Sequence, residues 1–135
     1  MPQVLEHIDA IARELNRDVL YLEFLKAQRP HYVDYRSLDS RSRIIQWLDK
    51  ESIGWRECGQ VASETVMRSY AGEIFINVPF DEADNQYCKV QAFLEYPDGT
   101  MRFDDVRFYV VTLQIAMKNA HHDEPGFWDR WAENF

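Results

Sequence analysis

The stretch VLYLEFL, residues 19–25, decides whether this chain forms a sheet. It is rich in aromatic and branched side chains, which favour strands, and it is too short for a helix. We therefore predict a strand that is buried on most of its surface. Glu23 is the exception within it, because an isolated ionised carboxylate is costly to bury. We expect Glu23 to lie at a sheet edge or to pair with an arginine rather than to serve in catalysis.

The segments on both sides of this strand predict helices. Apolar residues recur at helical spacing across residues 3–16, and charged residues occupy the opposite face. After a loop over residues 26–39, a second helix is predicted to begin at Asp39 or Ser40, either of which can cap it, and to stop at Gly54. Loops of this length are disproportionately functional or mobile in small domains.

Beyond the second helix the hydrophobic period changes to two, which predicts strands. The candidate strands are residues 55–62, 72–80, 86–96 and 100–103. The sequence YPDGTMRF contains Pro97, Asp98 and Gly99, which suit a tight turn. We therefore predict a hairpin between residues 86–96 and 100–103.

The C-terminal part of the chain predicts two more helices. One covers residues 104–120, with an apolar stripe behind two aspartates that can cap it, although residues 109–111 have strand propensity. The last covers residues 125–134. The element order is then α-β-α-β-β-β-β-α-α. We predict an α+β fold, in which a mostly antiparallel sheet of four to five strands packs against helices, as a single domain over residues 1–135.

Composition restricts the class of protein. The chain has 135 residues, of which 46% are hydrophobic, and this is enough for a core. No apolar run approaches the roughly 20 residues that cross a bilayer, and the charged N-terminal segment does not resemble a signal peptide. Cys58 and Cys88 are too few for a disulfide framework, and we expect both as free thiols buried in strands. These features predict a cytoplasmic protein with no membrane contact.

The net charge of −8 is unevenly placed along the chain. Charges cancel over residues 1–50, whereas residues 51–135 hold fifteen acidic and seven basic residues. Such a chain repels nucleic acid and can attract a basic protein, although the surplus can also serve solubility alone. The acidic candidates for partner binding are Asp81, Glu82 and Asp84. No glycine follows them, so they do not match a calcium loop, and a solvated turn is the alternative.

The closing sequence NAHHDEPGFWDRWAENF, residues 119–135, contains His121, His122 and Asp123 as candidates for acid/base or metal chemistry. Neighbours on a helix diverge by about 100°, so two adjacent histidines do not form the familiar helical pair. A joint between helices explains the same residues, because His suits a helix C-terminus and Asp123 can cap the next helix. We favour the joint and expect no metal and no cofactor.

An aromatic stripe follows this joint. Phe127, Trp128, Trp131 and Phe135 recur at helical spacing. A small domain seldom leaves two tryptophans exposed, so we expect the stripe to dock on the chain's own sheet. The alternative is a homodimer through Trp128 and Trp131.

The charge balance reverses over residues 26–43. Basic residues outnumber acidic ones there, and the candidates for binding an anion are Arg29, His31, Arg36, Ser40, Arg41 and Arg43. The alternative is a solvated loop whose arginines neutralise acidic residues of the same chain.

The major catalytic signatures are missing from the sequence, including a Gly-rich phosphate loop, GxSxG, HExxH and CxxC. We therefore favour a protein that acts through contacts with another protein, of the inhibitor, antidote or adaptor type, rather than an enzyme. The alternative is a small enzyme or anion-binding domain whose site lies between residues 26–43 and the His121-His122-Asp123 joint. His31 or His121 would carry the proton there.

Overall fold

The protein folds into a four-stranded antiparallel sheet with helices packed on both faces. The structure is a computed structural model, which describes residues 5–28, 34–66 and 68–133. The α+β class and the mostly antiparallel sheet are confirmed. The strands are β1 (Val19–Phe24), β2 (Trp55–Glu57), β3 (Ile74–Ile76) and β4 (Val106–Val111). The helices are α1 (Ile8–Leu15), α2 (Asp39–Lys50), α3 (Asn85–Leu94), α4 (Leu113–Met117) and α5 (Phe127–Glu133). Short 3₁₀ turns cover Leu25–Gln28, Tyr35–Ser37 and Ala120–Asp123.

The predicted strand in VLYLEFL is confirmed as β1, one of the two central strands. The order of the sheet is β2-β3-β1-β4, and β1 pairs antiparallel with both β3 and β4. Glu23 is therefore not at an edge. It stands opposite Arg107 of β4, and the Tyr21 hydroxyl donates a hydrogen bond to its carboxylate at 3.2 Å.

Alternate side chains of β1 pack into two separate cores. Leu20, Leu22 and Phe24 face one core, whereas Val19 and Tyr21 face the other. The first core includes Ile44 and Leu48 of α2 with Val90 and Leu94 of α3, and the second includes Ile8 and Ile11 of α1 with Ala116 of α4. Each large apolar side chain that is fully buried stabilises the fold by roughly 1.5–3 kcal/mol. The sheet therefore separates a layer of α2 and α3 from a layer of α1 and α4.

Residues 86–96 do not form the predicted strand. Most of them belong to α3, which buries Tyr87, Val90 and Leu94 at helical spacing. Asp84 caps this helix, because its carboxylate accepts a hydrogen bond from the Tyr87 amide at 2.9 Å. The predicted hairpin is therefore wrong. Its tight turn is nevertheless present after the helix, where Gly99 has a φ of 88°.

The helix predicted over residues 104–120 is only partly present. Residues 106–111 form β4 instead, and the helical part is α4, with a 3₁₀ turn that begins at Ala120. Thr112 caps α4 by accepting a hydrogen bond from the Ile115 amide at 3.2 Å. Asp105 caps nothing, since it is buried and accepts a hydrogen bond from Ser40 Oγ at 2.7 Å. The observed order of helices and strands is α-β-α-β-β-α-β-α-α.

Three further predictions are corrected in detail. Helix α1 begins at Ile8, and Asp9, which the pattern placed on its polar face, is fully buried. Cys58 is buried as expected, but Cys88 is exposed on α3. The strands predicted over residues 55–62 and 72–80 are shortened to β2 and β3. Within the three described ranges, no helix has both the length and the apolar character needed to span a bilayer.

Candidate functional site

Two adjacent histidines meet one carboxylate at the 3₁₀ turn Ala120–Asp123, which we call the histidine turn. His121 Nε2 lies 2.8 Å and His122 Nε2 lies 3.1 Å from the same oxygen, Oε1 of Glu64. The two imidazole rings are in edge contact, with centroids 4.4 Å apart. The segment joins α4 to α5 as the sequence predicts, and it also directs both side chains to one point. We call Glu64, His121 and His122 the histidine cluster.

The carboxylate of this cluster comes from the connection between β2 and β3, 57 residues before His121. Hydrogen bonds from His121 and then His122 hold the pKa of Glu64 below its usual range. Glu64 is exposed, as is His121, whereas the ring of His122 is buried. The cluster is therefore open to solvent on one side and enclosed on the other.

The aromatic stripe of α5 forms the enclosed side. The His122 ring contacts Phe127 and Trp128, with centroids 4.8 and 4.7 Å away. The Trp131 indole donates a hydrogen bond to the backbone carbonyl of Glu64 at 2.9 Å. The stripe thus docks on its own chain, but it does so on the histidine turn and on the loop of Glu64 rather than on the sheet. Phe135 lies outside the described residues.

A partly buried ionic network holds the histidine turn against α1. Arg13 binds both carboxylate oxygens of Asp123, at 2.7 and 2.8 Å, and also donates to the Ala116 carbonyl at 2.9 Å. The Arg13 hydrogen bond holds the pKa of Asp123 below its usual range. The Asp123 carboxylate is therefore engaged by Arg13, instead of capping the last helix as the sequence suggests.

Asp9 connects this network to the loop that carries Glu64. Its carboxylate accepts hydrogen bonds from the Ala62 amide at 3.0 Å, from Asn119 Nδ2 at 2.9 Å and from Arg13 at 3.0 Å. Burial alone would raise the pKa of Asp9, but these three donors outweigh burial and lower it. Asp9 thus holds Ala62, which shortly precedes Glu64, and Asn119, which shortly precedes His121.

The histidine cluster has the composition of a metal-binding or proton-sharing group. Its three possible donor atoms all lie within 4.8 Å of one another. Two imidazole nitrogens and one carboxylate oxygen are ligands that zinc and related ions accept. His122 Nδ1 is buried and makes no hydrogen bond to any residue that the structure describes. Sequence reasoning identified the histidines and Asp123 but missed Glu64, Asp9 and Arg13. Only the helical i, i+4 spacing of Asp9 and Arg13 offered a signal.

Two of the candidates for anion binding are occupied by structural contacts. Ser40 donates its hydroxyl to Asp105, as described above. Arg41 is buried, and its guanidinium donates to the Gly72 carbonyl at 2.9 Å and to the Tyr70 hydroxyl at 3.3 Å. These partners leave Ser40 and Arg41 engaged within the fold.

The remaining candidates are exposed or lie outside the described residues. Arg36 and Arg43 are exposed and lie 3.9 Å from Asp34 and Asp39, respectively. Arg43 also lines a shallow depression of about 300 Å³ together with Ala92, Phe93, Arg102 and Phe103. Arg29 and His31 fall in the range 29–33, which the structure does not describe.

The basic segment and the histidine turn do not meet in the part of the chain that is described. Helix α2 packs on one face of the sheet, whereas α1 packs on the other face and contacts the histidine turn. No hydrogen bond, ion pair or ring contact joins described residues 34–43 to residues 120–123. The described part of the chain therefore gives no support to a site shared by these two segments.

The acidic residues Asp81, Glu82 and Asp84 lie in the loop before α3. Asp81 accepts a hydrogen bond from the Ala83 amide at 2.9 Å, and Asp84 caps the helix, so the loop is internally ordered. Asp81 and Glu82 are exposed.

Comparison of the chain with models of known protein families, with curated proteins and with solved structures gives no match. A functional conclusion therefore depends on the geometry and charge of this chain alone.

Proposed function

We propose that this protein acts in the cytoplasm by binding a basic protein partner, as an inhibitor, antidote or adaptor, through an acidic surface built around α3. The observation that carries this proposal is the concentration of charge. Residues 80–98 contain five acidic residues and one lysine, a net charge of −4, which is half the net charge of the whole chain. We call this stretch the acidic surface.

Within the described ranges, ion pairs do not balance the carboxylates of the acidic surface. Across the described ranges, no lysine or arginine forms an ion pair with Asp81, Glu82, Asp84, Glu95 or Asp98. The lysine of this stretch, Lys89, pairs instead with Glu51 at 3.7 Å. Uncompensated charges on one surface steer the approach of a partner of opposite charge, over a range set by a Debye length of about 8 Å.

Carboxylates elsewhere are compensated more fully. Arg56 lies 3.4 Å from Glu6 and 3.6 Å from Glu14, and Arg130 lies 3.4 Å from Glu124. Arg13 neutralises Asp123, as described above. The negative potential is therefore expected to be strongest at the acidic surface.

Exposed aromatic rings accompany these charges. Phe80 and Tyr96, before and after α3, are 44% and 48% exposed. Between them, the pKa of Tyr87 is raised by burial and then by the charges of Glu95 and Glu82, so both carboxylates act on one ring. Aromatic residues are enriched in protein interfaces, and here they would supply apolar contact beside the charges that steer association.

The experiment begins with capture of partners from the native cell extract at about 50 and 300 mM salt, where screening differs strongly. The captured protein is then purified, and its affinity is measured for the wild type and for the double variant D81N/E82Q. We expect the variant to bind roughly 3- to 10-fold more weakly, because each exposed interfacial charge contributes up to about 1 kcal/mol.

The matched control is D129N/E133Q, which removes two exposed carboxylates from α5. It leaves the acidic surface intact, so its affinity should equal that of the wild type. If no captured protein binds again after purification, or if binding is indifferent to salt and to D81N/E82Q, the proposed function is wrong.

A further inference from the structure

We propose that the histidine cluster binds one divalent transition-metal ion of the Zn²⁺ type, through Nε2 of His121, Nε2 of His122 and a carboxylate oxygen of Glu64. This site does not depend on the proposed partner. It lies at the histidine turn and α5, whereas the acidic surface surrounds α3.

The donor set selects the class of ion. Imidazole nitrogen suits Zn²⁺, Cu²⁺, Fe²⁺ and Ni²⁺, whereas Ca²⁺ and Mg²⁺ prefer oxygen ligands throughout. Two histidines and one glutamate are a known set of protein ligands for zinc, with a fourth position left for water. The ligand types therefore favour Zn²⁺ over the alkaline-earth cations.

The distances are close to those that a metal requires. With bonds of about 2.0–2.1 Å in a tetrahedral arrangement, two donor atoms lie about 3.3 Å apart. The two nitrogens lie 2.8 and 3.1 Å from Glu64 Oε1, so these separations need to grow by only a few tenths of an ångström. The two nitrogens lie within 4.8 Å of each other and must approach to a similar distance, which requires a small rotation of the half-exposed His121 ring.

The protein holds the ligands in place without the ion. The Trp131 indole holds the backbone of Glu64, and the Arg13–Asp123 pair holds the end of the histidine turn. The His122 ring packs against both Phe127 and Trp128. Less ordering of side chains is then needed when the ion binds, which favours affinity.

One feature limits the affinity. Metal-bound histidines usually donate their second ring N–H to a carboxylate or carbonyl, and loss of that contact typically weakens binding by about 10- to 100-fold. His122 Nδ1 has no such partner among the described residues. We therefore expect reversible binding that a chelator removes, rather than a permanently bound ion.

The test is calorimetric titration of the full, tag-free chain with Zn²⁺ alone, for the wild type, E64Q and H121Q. Both substituted residues are exposed, so the variants should keep the fold, which circular dichroism checks. We expect one ion per wild-type chain and at least a ~10-fold loss of affinity in each variant. At the same Zn²⁺ concentration, the Tm of the wild type should rise more than that of E64Q, because a ligand that binds only the folded state stabilises it in proportion to its affinity.

Two matched controls separate this site from other zinc ligands. E124Q removes an exposed carboxylate two residues beyond the histidines, and C88S removes the exposed thiol. Both should bind Zn²⁺ as the wild type does. The proposal is wrong if the wild type binds no stoichiometric Zn²⁺, if E64Q and H121Q bind as tightly as the wild type, or if C88S alone abolishes binding.

Discussion

Arg13 and Asp123 are 110 residues apart in the chain and form a two-point contact, with Nε and Nη2 of the guanidinium on the two carboxylate oxygens. The Arg13 side chain is only 5% exposed, and its remaining nitrogen binds Asp9 and the Ala116 carbonyl. This single residue connects α1, α4 and the histidine turn. The position of the candidate metal site therefore depends on a helix near the opposite end of the chain.

Substitution of Arg13 by alanine should strongly destabilise the protein. It leaves the fully buried carboxylate of Asp9 without its positive partner, and breaking a buried pair in this way costs about 3–5 kcal/mol. The free energy of unfolding in urea measures the effect. R36A is the control, since the Arg36 side chain is 73% exposed and should change stability by less than about 0.5 kcal/mol. Equal effects of the two substitutions would show that the buried network contributes little.

Asp9 should make stability fall at acidic pH. Its folded pKa lies below the ordinary value of 3.8, so its contribution is present above that pH and is lost as pH falls through the folded pKa. In D9N, stability at pH 7 should be lower, and the loss between about pH 4 and pH 2 should be shallower than in the wild type. Urea unfolding at several pH values tests this. Parallel curves for the two proteins would contradict it.

Glu73 should act in the opposite sense. It is 1% exposed, and burial raises its pKa above 4.5. Folding therefore favours the protonated form of Glu73 relative to the unfolded chain, and stability is lost as pH rises from about 4.5 through the folded pKa. E73Q should be more stable than the wild type at pH 8, by on the order of 1 kcal/mol, and the difference should shrink towards pH 4. The same urea series measures it, and a destabilised E73Q at pH 8 would count against this interpretation.

The two cysteines should differ in reactivity towards an aromatic disulfide reagent. Cys88 is exposed on α3, whereas Cys58 is fully buried and burial raises the pKa of its thiol. Absorbance should show one thiol that reacts within minutes and a second that reacts after addition of denaturant. C88S should remove the fast reaction and C58S should not. A fast reaction that persists in C88S would contradict the placement of α3.

Glycine at two positive-φ positions gives a further test. Gly72 has a φ of +92°, and a Cβ there would lie 2.7 Å from Tyr35 Cβ, whereas Gly99 has a φ of +88° and open space around it. G99A should cost about 1–2 kcal/mol for backbone strain alone, and G72A about 1–3 kcal/mol more, because it also displaces Tyr35. Tm values for the two variants measure the difference. G72A as stable as G99A would mean that Tyr35 moves freely.

The strand predicted over residues 86–96 proved to be helix α3, because the apolar residues of this segment fit both the two-residue period of a strand and the spacing of a helix. In residues 86–96, Cys88, Val90, Ala92 and Leu94 alternate as in a strand, but Tyr87, Val90 and Leu94 also lie on one face of a helix. Gln, Lys, Ala and Leu favour helix, and Asp84 supplies the cap. The capping signal was present in the sequence but was assigned only to an acidic loop.

The prediction for β4 failed for a complementary reason. Residues 106–111 match a helical stripe, yet Val, Phe and Tyr favour strands, and β1 offers a complete row of backbone partners from Val19 to Phe24. Tertiary pairing therefore outweighed the periodic pattern. In contrast, β1, α2 and α5 were predictable because composition and hydrophobic period agreed there. The end signals of the two helices were wrong: neither Asp39 nor Ser40 caps α2, which ends at Lys50 before Gly54, and Asp123 binds Arg13 instead of capping α5.

The candidate site was only half accessible to sequence reasoning. His121 and His122 were visible as neighbours, and local rules explained them as a joint. Their shared partner Glu64 comes from a connection 57 residues earlier that has no distinctive pattern. A contact between distant segments depends on how the whole chain packs, so local spacing carried no information about it.

The sheet order has a consequence for biosynthesis. Strand β1 is made early, but both of its neighbours, β3 and β4, are translated later. Until residues 106–111 leave the ribosome, one side of Val19–Phe24 has no backbone partner, and an unpaired hydrophobic strand invites association with other chains. Nascent chains arrested before residue 106 should therefore require chaperone protection, and pairing of β4 with β1 should complete the sheet only late in translation.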